Sequence, residues 1–229
     1  MANGAANFLS LSMLLKYILI AFLYLSLLCL SGCSNYMPST TCKEIAAEAD
    51  LIVNKHYYEK WATKPNKTDT LQLEVALAKL DGIYSKCPEI EPSIAYKKVR
   101  LFLLLGDYER GYNFVDSLDA SKSFFQRDYE KSMYYLTFKA RHFEKRGDLQ
   151  SRDHQAKSAT VLIENFLANN PYNRDAIADL LFTMALYADE ATVIERLDKM
   201  PLQGNIGDVD FKEALKNSIV SNYQVMQKR

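Results

Sequence analysis

Apolar residues in this chain recur at every third or fourth position, and that spacing constrains the fold more than any single motif. Leu73, Leu77, Leu80 and Tyr84 follow an i, i+4, i+7, i+11 course, and Phe211, Leu215, Ile219, Tyr223 and Met226 mark a second stripe. Side chains spaced this way line one face of an α-helix, which must then be buried against a neighbour. Strand signals are nearly absent beyond residue 32, with no Asn-Gly turn, no sustained β-branched alternation and six glycines. Pro65, Pro88, Pro92, Pro171 and Pro201 fall between the stripes, where a missing N–H breaks no helical ladder. The expected class is therefore all-α, with helices over 42–61, 70–86, 93–105, 107–118, 124–146, 148–169, 173–187, 189–199 and 208–227. Thr41 three residues before Glu44, and Asp69 three before Gln72, read as capping boxes.

Three turns repeat at a fixed interval. Gly106-Asp107, Gly147-Asp148 and Ala188-Asp189 are each 41 residues apart, with Phe102, Phe143 and Met184 four positions earlier. A small residue permits a tight reversal, Asp caps the next helix, and the apolar residue packs on a partner helix. The stretch Leu101 to Leu118, LFLLLGDYERGYNFVDSL, resembles the turn and second helix of a tetratricopeptide repeat through Gly106, Tyr108 and Gly111. The segment from Ala140 to Pro171 resembles it more loosely, and the Tyr187 region more loosely still. That resemblance implies stacked antiparallel helix hairpins, as a solenoid or an irregular helical bundle, with a groove formed by the first helix of each hairpin. The 41-residue interval departs from the usual spacing of about 34.

The amino terminus has a different character. Residues 17–30, YILIAFLYLSLLCL, are an uncharged apolar run behind Lys16, followed by Ser31, Gly32 and Cys33. This is the three-part order of a secretory signal. The alternative is a membrane-spanning helix over Phe8 to Leu30, which is long enough to cross a bilayer and predicts no cleavage. Residues 1–12 carry no charge, whereas Met13 begins a compact signal with its Lys near the start, so translation from Met13 is a second possible origin.

Leu30-Ser31-Gly32-Cys33 resembles the lipobox of bacterial lipoproteins. The resemblance implies a signal peptide over 1–32, lipid modification of Cys33, a lipidated linker over 33–41 and a helical domain over 42–229. It also implies a periplasm-facing protein held to a membrane, with Ser34 in place of an acidic residue favouring the outer membrane. More than one acyl chain makes such an anchor stable.

Cys29 leaves with a cleaved signal and Cys33 is committed to lipid, which leaves Cys42 and Cys87 in an oxidising compartment. One disulfide or two separate buried thiols can account for them. The start of the first predicted helix and the end of the second are neighbours in an antiparallel hairpin, which favours the disulfide.

Positive function signals are few. With Lys16 the only charge in residues 1–32, the remainder carries 27 basic and 28 acidic side chains, a balance that offers no footprint for nucleic acid or for an anionic lipid surface. His56, His142 and His154 form no H-E-x-x-H pattern, there is no Cys-x-x-Cys, phosphate loop or G-x-S-x-G elbow, and no cofactor or metal is expected. Glu44 and Glu48 share a helix face, as carboxylates on solvated helices often do. His56, Tyr57, Tyr58 and Trp61 cluster at the end of the first predicted helix, suiting core packing or a recognition patch. Asn66-Lys67-Thr68 matches a glycosylation sequon. The expected function is a non-enzymatic adaptor that binds a protein or peptide partner at the cell envelope. The rival is a cell-wall-active enzyme or an enzyme-inhibiting immunity lipoprotein.

Overall fold

The computed structural model describes residues 39–60, 67–119, 122–202 and 206–227. Their regular elements are all helices, without a strand among the described residues: α1 (Ser39–Lys60), α2 (Lys67–Tyr84), a 3-10 turn (Pro88–Ile90), α3 (Glu91–Leu105), α4 (Tyr108–Ser117), α5 (Glu130–Lys145), α6 (Leu149–Asn169), α7 (Arg174–Met184), α8 (Glu190–Asp198) and α9 (Ile206–Gln227). Each helix packs on the next in sequence; α3 also lies against α1, and α9 against α7. Short links between amphipathic helices leave little choice but neighbouring pairs.

The periodic stripes form the core. Leu73, Leu77 and Leu80 are almost wholly buried beside Ala46, Ala49 and Val53 of α1, while Leu215, Ile219 and Tyr223 close the other end against α7 and α8. Burying a Leu or Ile side chain contributes about 1.5–3 kcal/mol each. Cys42 and Cys87, both without solvent exposure, are joined by a disulfide with their Cα atoms 6.0 Å apart. It ties the first turn of α1 to the segment just beyond α2.

At the first two 41-residue turns, Gly106 and Gly147 take positive φ, 66° and 77°. The Asp107 and Asp148 N–H groups donate to the Phe102 and Phe143 carbonyls, and the glycine N–H groups to Leu103 and Glu144. This is the paired closure of a Schellman motif, which satisfies carbonyls the helix leaves open. Ala188 does not repeat it: its N–H reaches the Met184 carbonyl at 2.9 Å, and no non-glycine residue has positive φ among the described residues. A left-handed alanine would cost about 1–2 kcal/mol, so this turn closes another way. All three aspartates nevertheless cap the helix that follows, accepting from the N–H groups of Arg110, Ser151 and Thr192.

Several expected boundaries are corrected. The helix expected from 42 begins at Ser39 and the one expected from 70 begins at Lys67, so Thr41 and Asp69 sit inside first turns and are not N-caps. The helix expected from 93 begins at Glu91, with Pro92 in a first turn where its missing N–H is harmless. The helix expected over 124–146 begins only at Glu130. Phe124 is drawn instead into a small cluster with Ala95 and Leu118, and the Arg127 N–H donates to the Glu130 carboxylate at 2.9 Å, fixing the start. The helix expected over 173–187 ends at Met184, after which Leu186 turns inward onto Ala140 and Ala156.

Gly111 has a packing role. A Cβ there would lie 2.4 to 2.7 Å from three ring carbons of Phe138, which is fully buried, so α4 approaches α5 as closely as it does only without a side chain. Lys98 of α3 joins the first hairpin to the next. Its ammonium is 2.8 Å from Asp81 on α2 and lies 4.6 and 3.9 Å from the ring centres of Tyr84 and Phe114. A buried cation persists in such a place because a carboxylate and two ring faces replace its water.

Candidate functional site

A cross-helix assembly of aromatic rings and ionisable groups is built by α3, α5, α6, α7 and the segment before α5. Tyr96 of α3 meets Tyr134 of α5 edge-on with ring centres 6.4 Å apart, and Phe125 covers the same Tyr134 ring at 5.4 Å. Tyr129, the residue before α5, packs on Phe166 at 5.0 Å and donates its hydroxyl to Asp179 Oδ2 of α7 at 2.7 Å. Arg127 then bridges two elements, at 2.8 Å from Glu130 and 2.9 Å from Asp175.

Electrostatics follow from this burial. Asp179 is pushed up from the ordinary carboxylate range to about 6 by burial, against the opposing effects of the Tyr129 hydrogen bond and Arg127. The Tyr129 phenol is held well above its usual value by burial and by the nearby Asp179, and burial also raises Tyr134. The solvent face stays open, for the Asp175 side chain is 73% exposed and Tyr96 is 41% exposed. Rigid rings anchored by ion pairs, with carboxylates beside them, suit recognition. Tyrosine contributes a large contact area at small cost in conformational entropy.

On the other side of α5, Val115, Asp116, Lys131, Ser132, Tyr135 and Leu136 line a cavity of about 300 Å3. Beside it Tyr112 packs edge-on against Tyr135 and His142, and Lys139 donates to the Tyr135 hydroxyl at 3.0 Å. That volume is at the lower end for small-ligand sites, and the aromatic groups there mainly hold one another.

No protein-family model matches the chain, and neither a curated protein nor a solved structure is significantly similar to it. Among the described residues no group of three or more His, Cys, Asp or Glu side chains is arranged to hold a metal ion. His142 meets Tyr112 and Phe143 edge-on, while His154 is exposed on α6. Glu130 and Asp175 are both ion-paired to Arg127.

Of the positions singled out in the sequence, Cys42 and Cys87 are brought together. Cys33 and the rest of Leu30-Ser31-Gly32-Cys33 lie outside the described residues, as do Trp61 and Asn66 and the side chains of His56, Tyr57 and Tyr58. The Tyr96–Tyr134–Asp179 assembly had no sequence signal of its own. Its members are 38 and 45 residues apart along the chain, and only the stacking of hairpins unites them.

Proposed function

We propose that this chain is a lipid-anchored, non-enzymatic binding module of the bacterial cell envelope, whose helical hairpins present a tyrosine- and carboxylate-lined face to a protein or peptide partner. The observation that carries the reading is the face built by Tyr96, Tyr134, Asp175 and Asp179, partly exposed yet fixed in place by ring contacts and the Arg127 ion pairs. Three turns closed by the same aspartate cap at a 41-residue interval support a repeat of hairpins related to tetratricopeptide arrays. Such repeats generate extended binding surfaces as a consequence of stacking. The membrane address, on the outer membrane in preference to the inner, is supported by the resemblance of Leu30-Ser31-Gly32-Cys33 to a lipobox.

Two measurements test the two halves. Metabolic labelling with a palmitate analogue should mark the wild-type chain and not Cys33→Ala; equal labelling or none removes the anchor. Crosslinking in native membranes should capture a partner with wild type and lose it with the Tyr96→Ala, Asp175→Ala double variant. The raised pKa of Asp179 suits acid–base work, so cell-wall fragments should also be assayed. Turnover abolished by Asp179→Asn would replace the adaptor with a hydrolytic reading.

A further inference from the structure

The cavity between α4 and α5 holds two opposite charges that do not meet. Lys131 of α5 and Asp116 of α4 both line it. Among the described residues neither is ion-paired, to the other or to any third group, whereas Lys97, Lys98 and Lys122 each have a carboxylate at 3.0, 2.8 and 2.7 Å. The Lys131 ammonium is tied instead to the Leu118 carbonyl just past α4, to which it donates at 2.5 Å. Two of its three N–H groups remain available. Asp116 stands in the last turn of α4, where the helix dipole opposes a negative charge, so nothing in α4 itself accounts for a carboxylate there.

The rest of the lining suits a small apolar body. Val115, Leu136 and the Tyr135 ring supply apolar surface, and the Ser132 hydroxyl, which makes no hydrogen bond among the described residues, adds a polar contact. The Tyr135 ring is held in place by Tyr112, edge-on at 6.3 Å, and by Lys139, which donates to its hydroxyl at 3.0 Å. Apolar pockets with a few fixed polar groups select ligands by matching those groups. Here the groups are one cation, one anion and one hydroxyl.

We propose that this cavity binds a free α-amino acid with an apolar side chain. The ligand carboxylate meets Lys131 and Ser132, its ammonium meets Asp116, and its side chain lies against Val115, Leu136 and Tyr135. A zwitterion pairs both charges at once; a simple anion leaves Asp116 unpaired and a simple cation leaves Lys131 unpaired. A volume of about 300 Å3 is at the lower end for ligand sites, which suits a single amino acid and not a segment of a folded partner. None of the six lining residues belongs to the face of Tyr96, Tyr134, Asp175 and Asp179, so the inference does not rest on the partner-binding reading.

The test is isothermal titration of the full protein, purified in detergent from bacterial membranes, with L-leucine, N-acetyl-L-leucine and L-leucinamide. Leucine is expected to bind with a Kd below about 1 mM, and removal of either charge in the two analogues to weaken binding at least about tenfold, the scale of one charge-assisted hydrogen bond. Asp116→Asn, at an exposed position, should weaken leucine binding to the same degree and leave N-acetyl-leucine binding unchanged. Lys131→Gln should weaken leucine binding and leave leucinamide binding unchanged, with circular dichroism checking the fold because the change also removes the Leu118 contact. If Lys131→Gln does not fold, the analogues and Asp116→Asn decide the matter. No leucine binding up to about 10 mM, equal affinity for leucine and either analogue, or full leucine affinity in Asp116→Asn overturns the proposal. Tighter binding of the tripeptide Ala-Ala-Leu than of leucine would assign the cavity to a peptide end and overturn the free amino acid.

Discussion

Replacing Gly111 by alanine should weaken the fold although alanine is the better helix former. Inside a helix the exchange ordinarily gains about 1 kcal/mol. At Gly111 the added methyl would fall 2.4, 2.6 and 2.7 Å from ring carbons of Phe138, about 1 Å inside a normal carbon–carbon contact of roughly 3.5–4.0 Å. Phe138 has no exposed surface through which its ring can swing away, so α4 has to move from α5. Overpacking of this kind costs about 1–3 kcal/mol, and the closeness of three contacts places Gly111 at the upper end. The net expectation is a loss of about 2 kcal/mol, seen as a fall in melting temperature of roughly 4–8 °C for a domain of this size. Gly82→Ala is the internal control, because a Cβ there meets nothing within 4 Å, and it should gain about 1 kcal/mol. Combining Gly111→Ala with Phe138→Leu should recover about 1–2 kcal/mol relative to the sum of the single changes. Urea unfolding followed by circular dichroism measures all four variants. If Gly111→Ala stabilises as much as Gly82→Ala does, the close approach of α4 and α5 is wrong.

Asp179 has a raised folded-state pKa, so the folded protein binds its proton more tightly than the unfolded chain. Its ionisation costs stability fully only above about pH 6, and the cost is relieved as pH falls toward about 4. Asp179→Asn should therefore stabilise the protein by up to about 3 kcal/mol at pH 8, given roughly 1.4 kcal/mol per pKa unit, and by nothing at pH 4; an equal effect at both values would refute the burial argument. The Cys42–Cys87 bond closes a loop of sequence separation 45, for which the chain-entropy model gives about 4 kcal/mol, so reduction should lower the melting temperature and non-reduced peptide mass spectra should show the pair. Free thiols on both cysteines in protein isolated without reductant would contradict it. Lys98→Met keeps the buried stem and should lose about 1 kcal/mol, whereas Lys98→Ala also leaves a cavity beneath Tyr84 and Phe114 and should lose about 3 kcal/mol; equal losses would mean that the charge alone matters.

Local signals account for most of what could be read in advance. The number and order of helices followed from apolar spacing, because a 3.6-residue period is a property of the backbone and leaves a trace wherever one face is buried. The caps at Asp107, Asp148 and Asp189 were legible for the same reason: each bond joins residues three apart. Boundaries were less legible where a longer-range contact outweighed propensity. Phe124 fits a helical stripe, yet its burial with Ala95 and Leu118 keeps residues 124–129 out of α5. Ala188 stands where the other turns have glycine, and the lack of a left-handed residue there shortens α7.

The sequence by itself determined the helical class, the two glycine turns, the aspartate caps and the expectation that Cys42 meets Cys87, since each depends on residue type at short range or on the plain geometry of one hairpin. Only the tertiary structure decided that Tyr96, Tyr134, Tyr129 and Asp179 share a face, that Gly111 is needed by Phe138, and that Lys98 is buried among Asp81, Tyr84 and Phe114. Those relations depend on the angle and depth at which successive hairpins stack, which is set by the summed packing of many side chains. No spacing along the chain encodes that sum.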